Sequence, residues 1–231
     1  MSRFFKSSIG KKLIMSVSGL FLVLFLFVHL IINSFLLVPD EGRLFNAAAH
    51  FMMSNPVIKV IEPILAAGFI IHIIWGVVLT LQNRKARGKE KYVSGAKTKN
   101  VSWASKNMLI LGLAIFAFLI LHLSHFYLKM KFTGSELISS IYIDIAGLIV
   151  KVDDNYALLN YKFSFLWVVI VYVFAGFCLA LHLSHGVWSG FQSAGFSNQI
   201  WLKRLKKMAI VFAWIVGIGF SAIATGQYLF F

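Results

Sequence analysis

The stretch GLAIFAFLILHLSHFY, residues 112–127, is apolar from Gly112 to Leu121 and then reads His-Leu-Ser-His. The same tetrapeptide closes a second apolar stretch, at residues 182–185. The core of a bilayer is about 30 Å thick, and a helix crosses it in about 20 apolar residues. An ionisable side chain inside such a segment is costly, so these histidines are candidate functional residues.

The composition of the whole chain is that of an integral membrane protein. Of the 231 residues, 59% are hydrophobic and only 13% are charged, and the mean hydropathy is +0.83. A soluble domain with one buried core does not have this balance. We predict an all-α fold in which residues 1–231 form one domain, a bundle of five transmembrane helices. The spans lie at about 13–38, 57–81, 108–128, 163–188 and 208–231.

The distribution of the basic residues predicts the orientation of the bundle. The net charge is +14, and 16 of the 22 Lys and Arg residues lie in three segments, at residues 3–12, 84–106 and 203–207. These segments would share one side of the membrane, and the positive-inside rule makes that side cytoplasmic. The C-terminus is then on the opposite side. Because the charge alternates between loops, we do not expect a nucleic-acid partner.

Several kinds of chemistry find no support in the sequence. The one cysteine, Cys178, provides no disulfide framework, zinc spacing or c-type haem attachment motif. No P-loop, GxSxG, paired-carboxylate or HExxH arrangement occurs. The first apolar stretch is too long for a secretory signal peptide and is expected to be a retained span.

One histidine lies deep inside each of the first four spans: His29, His72, His122 and His182. At about 1.5 Å per residue, His29 and His122 lie about 6 Å outward of the centres of their spans. His72 lies slightly to the cytoplasmic side, and His182 about 9 Å toward the cytoplasm. We therefore expect an outer pair, His29 with His122, and an inner pair, His72 with His182.

Two such pairs predict two haems, each held by two axial imidazoles from different helices. Bis-histidine ligation leaves no open coordination position, which indicates electron transfer rather than oxygen chemistry. A single buried histidine could instead form a hydrogen bond between helices, but four at matched depths favour ligation. The second histidine of each tetrapeptide, His125 or His185, could replace the first as ligand, or contact a haem propionate, water or quinone. His50 is expected in a solvated loop.

The sequence resembles the dihaem cytochrome b membrane subunit of succinate:quinone oxidoreductases, the succinate dehydrogenases and fumarate reductases known as complex II. The resemblance covers nearly the whole chain. It is carried by the five spans and by SGLFLVLFLFVHL (18–30), FIIHIIWG (69–76), GLAIFAFLILHLSHFY (112–127) and LHLSHGVW (181–188).

The resemblance implies two haems b, with one axial histidine from each of the first four helices. His29 and His122 would hold the distal haem, and His72 and His182 the proximal one. His125 remains an alternative to His122, although the interval from Gly112 to His122 looks like the pattern of the family.

The resemblance also implies partners and a location. A flavoprotein subunit would carry the dicarboxylate chemistry, and an iron–sulfur subunit would dock on the basic loops 82–107 and 203–207. The chain would anchor both in a bacterial cytoplasmic membrane, relay electrons, and provide the site for a quinone, commonly menaquinone. The whole complex could be a dimer. Neither the direction of the reaction nor its coupling to the membrane potential follows from the sequence.

The sequence leaves several candidates for the quinone site. On the outer side Glu62 is the best candidate, with Asn33, Ser34 and Lys59 at similar depth, although Glu62 could simply cap its helix or face the headgroups. On the inner side the candidates are His185, Ser189 and Gln192.

Two other functions compete with this interpretation. One is the dihaem cytochrome b subunit of a hydrogenase or a formate dehydrogenase. The other is a proton-coupled transporter with histidine relays, but such transporters usually have inverted repeats and broken helices.

Overall fold

The computed structural model describes residues 7–87, 102–133, 137–145, 147–196 and 198–230. Five of its helices are long and apolar enough to cross a membrane, which confirms the five predicted spans and the helical bundle. We number them spans 1 to 5. Their bounds are Ile9–Leu37, Pro56–Ala86, Met108–Phe132, Leu166–Ser193 and Gln199–Phe230.

The complete order of elements contains shorter helices and one hairpin. The helices are α1 (Ser8–Ser34), α2 (Arg43–Ser54), α3 (Pro56–Arg87), α4 (Trp103–Lys106), α5 (Met108–His122), α6 (Asn155–Phe163), α7 (Leu166–Ser193) and α8 (Gln199–Phe230). A 3-10 turn, Phe35–Leu37, follows α1. The strands are β1 (Ser140–Ile145) and β2 (Leu148–Asp153), which pair antiparallel.

Two helices extend further than the apolar stretches predict. The helix α3 continues to Arg87, and α8 begins at Gln199. Lys and Arg are good helix formers, so a helix can run past the point where the hydropathy falls.

Span 3 is not a uniform α-helix. Its α-helical part ends at His122, and two π-helical segments follow, Leu123–Tyr127 and Lys129–Thr133. A π-turn holds more residues than an α-turn and is frequent at functional sites. Span 4 is α-helical through its own His-Leu-Ser-His tetrapeptide. The two identical tetrapeptides therefore have different backbones.

Spans 4 and 5 form the most buried part of the bundle, where Gly176 of α7 meets Gly217 of α8. A Cβ on Gly176 would lie 2.8 Å from the Gly217 carbonyl oxygen, and a Cβ on Gly217 only 2.5 Å from the Gly176 oxygen. Two backbones can approach this closely only where both helices lack a side chain.

Span 2, in contrast, is the most exposed of the five spans. None of its most apolar segment is buried, and it packs on span 1 and only sparsely on span 3.

The connections 35–55 and 137–165 pack together on one end of the bundle, which we call the hairpin end. Leu36 and Leu158 are completely buried there, against Val168 of span 4. The Asn46 amide joins α2 to α6, donating to Asp154 Oδ1 at 2.9 Å and accepting from the Tyr156 amide at 3.0 Å.

The hairpin end departs from the sequence prediction in two respects. The segment between the third and fourth predicted spans was expected to be a loop, residues 129–162, but it contains the β1–β2 hairpin, in which Ile141, Ile143 and Ile145 alternate with polar or aromatic residues. Such alternation is the sequence signal of a strand, and it was missed. His50 does not lie in a loop, because it belongs to α2 and is half-buried.

Candidate functional site

The structure brings His29 of span 1 together with His122 of span 3. The centroids of their rings are 5.8 Å apart, and the ring planes are at 90°. The two residues are near the ends of α1 and α5, so this pair lies toward the hairpin end. These are the two residues that depth alone assigned to the outer pair.

His72 of span 2 and His182 of span 4 form the second pair. Their ring centroids are 6.3 Å apart, with an angle of 71° between the planes. His182 lies in the half of α7 that is farther from the hairpin end. The four histidines thus form two pairs at different depths, each pair joining two different helices.

Aromatic rings surround the His29–His122 pair. Phe25 stacks on His29 at 5.1 Å, and Phe118 stacks on His122 at 5.7 Å. Phe220 of span 5 lies 5.6 Å from His29. These contacts hold the two imidazoles in a largely apolar environment.

Asn33 provides a polar contact to the same pair. Its Nδ2 atom donates to the His29 carbonyl oxygen at 2.8 Å and lies 3.3 Å from His29 Nδ1 and 3.5 Å from Nε2. Asn33 is therefore placed against the His29 ring. Among the described residues no hydrogen bond joins Asn33 to Glu62, so their common role in a quinone site stays a prediction.

Small residues flank the His72–His182 pair. A Cβ on Gly19 of span 1 would lie 3.1 Å from His72 Cε1, and a Cβ on Gly112 of span 3 would lie 3.8 Å from His182 Cε1. The Ser18 hydroxyl is 3.4 Å from His72 Nδ1. Glycine at position 19 thus leaves room beside the His72 ring that a larger residue would fill.

The second histidines of the two tetrapeptides have different surroundings. His125 stacks on Tyr172, with a centroid distance of 6.2 Å and an angle of 7°, and its ring is 6.0 Å from that of Trp167. His185 lies 5.0 Å from Trp188, on which the Lys206 ammonium also packs at 4.5 Å. In the described structure, neither His125 nor His185 has its ring next to a histidine ring of another span.

A third polar group, Glu62 with Tyr127 and Lys131, connects span 2 to span 3 near the hairpin end. The Glu62 carboxylate accepts hydrogen bonds from the Tyr127 hydroxyl and the Lys131 ammonium, and it forms an ion pair with Lys131. The Glu62 side chain retains 28% of its exposure and that of Lys131 retains 38%. The cluster is therefore accessible from the surroundings of the bundle.

The remaining sequence candidates do not join this cluster. The Ser34 hydroxyl donates to the Ile31 carbonyl oxygen at 2.6 Å, and Lys59 is exposed. At the opposite end Gln192 is exposed and Ser189 is half-buried. Sequence reasoning missed Tyr127, Lys131 and Tyr172, because a tyrosine or lysine near the end of a span is ordinary and nothing local shows which residue it faces.

Part of the expected docking surface can be described. Lys203, Arg204, Lys206 and Lys207 are all exposed at the start of α8, and Arg84 and Lys85 are exposed at the end of α3. The expectation for residues 88–101 lies outside the described residues. The charges of these exposed side chains on α3 and α8 are therefore accessible to a partner protein or to lipid headgroups.

The separation of the ring centroids in each histidine pair fits two imidazoles on one haem iron. A metal held by side chains alone needs three or four donors, and no group of three His, Cys, Asp or Glu occurs in the described part of the chain. Two histidines suffice for a haem, because the porphyrin supplies the other ligands. With metal–imidazole bonds of about 2 Å, two axial rings have centroids about 6 Å apart. The observed 5.8 and 6.3 Å agree with this distance.

Four residues therefore define the candidate site: His29 with His122, and His72 with His182. They come from four different helices, and the ring centroids of the two pairs are 5.8 and 6.3 Å apart. Comparison with protein-family models, with curated proteins and with solved structures found no match to this chain.

Proposed function

We propose that the chain is the dihaem cytochrome b membrane subunit of a succinate:quinone oxidoreductase. The observation that carries the proposal is the pairing of histidines from spans 1 and 3, and from spans 2 and 4, at distances that suit axial ligands of iron. The resemblance of the histidine-bearing segments to that family supports the choice of enzyme.

The residues of the chain hold and orient two haems b in this proposal. His29 and His122 would bind one iron, and His72 and His182 the other. Phe25 and the neighbouring aromatic rings would give the first haem an apolar surrounding, and burial of this kind is one of the ways in which a protein tunes a haem. When bound, the haems would transfer single electrons between an iron–sulfur partner and a quinone.

The charges at the two ends support one orientation in a bacterial cytoplasmic membrane. The exposed basic residues at the end of α3 and the start of α8 lie at the end opposite the hairpin. By the positive-inside rule this end faces the cytoplasm and the hairpin end faces outward. The His29–His122 pair is then the outer one.

The same basic end is the proposed docking surface for the iron–sulfur subunit, which in turn carries the flavoprotein. The exposed ammonium and guanidinium groups of Lys203, Arg204 and Lys207 would attract an acidic partner surface. The His72–His182 pair lies nearer this end, so it would be the first to receive electrons from the partner.

The Glu62 cluster is the proposed quinone site. It lies near the outer pair, and it combines a carboxylate with the hydroxyl of Tyr127 and the ammonium of Lys131. Hydrogen-bond donors and a group that exchanges protons are what a quinone head requires. A menaquinone would reach it from the lipid.

The purified chain provides the first test. Its reduced-minus-oxidised spectrum should show low-spin haem b, with about two haems per polypeptide by extraction. Affinity purification from cells that express the whole complex should retain a flavoprotein that oxidises succinate or reduces fumarate. A chain without haem would refute the proposal. A haem-loaded chain that retains a hydrogenase or formate dehydrogenase subunit instead would refute the choice of enzyme.

A further inference from the structure

The hydroxyl of Tyr172 lies between the two histidines of the first tetrapeptide. Its Oη atom is 3.4 Å from Nδ1 of His122 and 3.5 Å from Nδ1 of His125. Both distances are longer than the roughly 2.7–3.2 Å of a typical hydrogen bond, so these are long polar contacts. Tyr172 is on span 4, so it reaches these histidines from a different helix.

The Tyr172 ring is held in place by other aromatic residues. It is 8% exposed and makes edge contacts with Phe118 at 4.8 Å and with Phe163 at 5.1 Å. A buried tyrosine hydroxyl needs a hydrogen-bond partner, and the two imidazoles provide it. The ring packing therefore fixes the hydroxyl at this point between them.

The chemistry of a ligating imidazole sets the direction of the two hydrogen bonds. If Nε2 of His122 binds iron, its Nδ1 carries a proton and can only donate. The Tyr172 oxygen must then accept from His122, and its own hydrogen can be donated to Nδ1 of His125. That leaves the remaining proton of a neutral His125 on its Nε2, so neither nitrogen of His125 is available to a metal.

We infer that Tyr172 is a positioning residue that orients His122 as an axial ligand and lowers the redox potential of the haem held by His29 and His122. This inference rests on the proposed function. An acceptor for the outer N–H of a ligating histidine fixes its orientation and makes it a stronger donor to the metal. A stronger donor stabilises the ferric form, so the potential falls.

The second tetrapeptide provides an internal comparison. Nδ1 of His182 and Nδ1 of His185 are both buried without a hydrogen-bond partner in the described structure. The residue beside His185 is Trp188, whose indole can donate but cannot accept. The histidines of the first tetrapeptide thus have a hydroxyl acceptor from span 4, and those of the second have none in the described structure. The effect of Tyr172 should therefore be confined to one haem.

The test is a redox titration of the haem-loaded full chain, followed by absorbance, for the wild type and Tyr172→Phe. The phenylalanine keeps the aromatic packing and removes only the hydroxyl. We expect two bound haems, one midpoint potential shifted to a more positive value, and the other unchanged. Tyr228→Phe removes a hydroxyl from a partly exposed tyrosine of span 5 and should shift neither potential.

Unchanged potentials in a Tyr172→Phe chain with two haems would refute this inference and leave the proposed function standing. A wild-type chain without haem would refute both. If Tyr172→Phe does not fold or loses a haem, His125→Phe decides. It should keep both haems and shift the same potential in the same direction by a smaller amount. In this variant the Tyr172 oxygen can still accept from His122, and only the hydrogen bond that Tyr172 donates to His125 is lost. A lost haem or an unshifted potential in His125→Phe would refute the role of Tyr172.

Discussion

The imidazole planes of His29 and His122 are perpendicular, at 90°, while their centroids are 5.8 Å apart. The rings come from spans 1 and 3, and each is fixed by a stacked phenylalanine, Phe25 or Phe118. The angle is therefore a property of the packed bundle. It bears directly on the electronic structure of any iron that the two rings share.

Perpendicular axial rings predict an unusual electron paramagnetic resonance signal. Because the two imidazoles then interact with different iron d orbitals, these orbitals remain nearly equal in energy and the low-spin ferric signal is highly anisotropic. We expect such a signal from the His29–His122 haem and a less extreme one from the His72–His182 haem, whose rings are at 71°. Two ordinary rhombic signals, typical of parallel rings, would contradict the geometry.

Single substitutions should remove one haem each. His29→Ala or His122→Ala should leave only the haem of the second pair, and His72→Ala or His182→Ala only that of the first. Haem per polypeptide, measured by extraction, should fall from about two to about one, since each iron loses one of its two protein ligands.

The control for this series is His125→Ala, which should retain both haems. Loss of a haem in His125→Ala, with retention in His122→Ala, would assign the ligand of span 3 to His125 instead.

Gly19→Ala should weaken the binding of one haem specifically. The new methyl group would lie 3.1 Å from His72 Cε1, which is too close unless the ring moves. Overpacking of this kind costs about 1–3 kcal/mol, or about 5- to 150-fold in affinity. Gly112→Ala is the matched control, because its methyl group would make an ordinary contact at 3.8 Å with His182. Equal haem affinities in the two variants would argue against the close fit at Gly19.

Gly176→Ala should destabilise the bundle itself. Its methyl group would meet the Gly217 carbonyl oxygen at 2.8 Å, and a backbone cannot rotate away as a side chain can. We expect a loss of about 3 kcal/mol, at the upper end of the usual range for overpacking. Thermal denaturation in detergent measures it. Gly186→Ala, which faces the flexible Met108 side chain at 3.4 Å, should have a much smaller effect.

Glu62→Gln should impair quinone turnover without loss of haem. The amide keeps the size of the side chain but cannot exchange a proton with a bound quinone, so we expect a rate about 100-fold lower. The measurement is succinate:quinone reductase activity of the assembled complex. Glu41→Gln changes another carboxylate near the hairpin end, one paired with Arg43 at 3.6 Å, and should leave the rate unchanged. An unaffected rate in Glu62→Gln would place the quinone elsewhere.

Much of the fold could be predicted because hydropathy is a property of consecutive residues. The five spans follow from it, and so do the depths of the four histidines, since a helix rises by a constant amount per residue. The π-helical turns after His122 have no such local signal. The hairpin does have one, because Ile141, Ile143 and Ile145 alternate with polar or aromatic residues.

Some features of the candidate site could also be predicted from the sequence, and others could not. Depth was enough to pair His29 with His122, because residues at equal heights on neighbouring helices can meet. The partners of Glu62 could not be predicted, since Tyr127 and Lys131 reach it sideways from another helix.

Hydropathy along the chain is enough to define five apolar helices and to place the histidines at two levels within them. The packing of those helices sets which ring faces which, where Tyr172 lies relative to His122 and His125, and the space that Gly19 leaves beside His72. The rise along a helix is fixed by its own backbone, so the levels need no knowledge of packing. The rotation of each helix about its axis depends on packing against distant residues, as at Gly176 and Gly217.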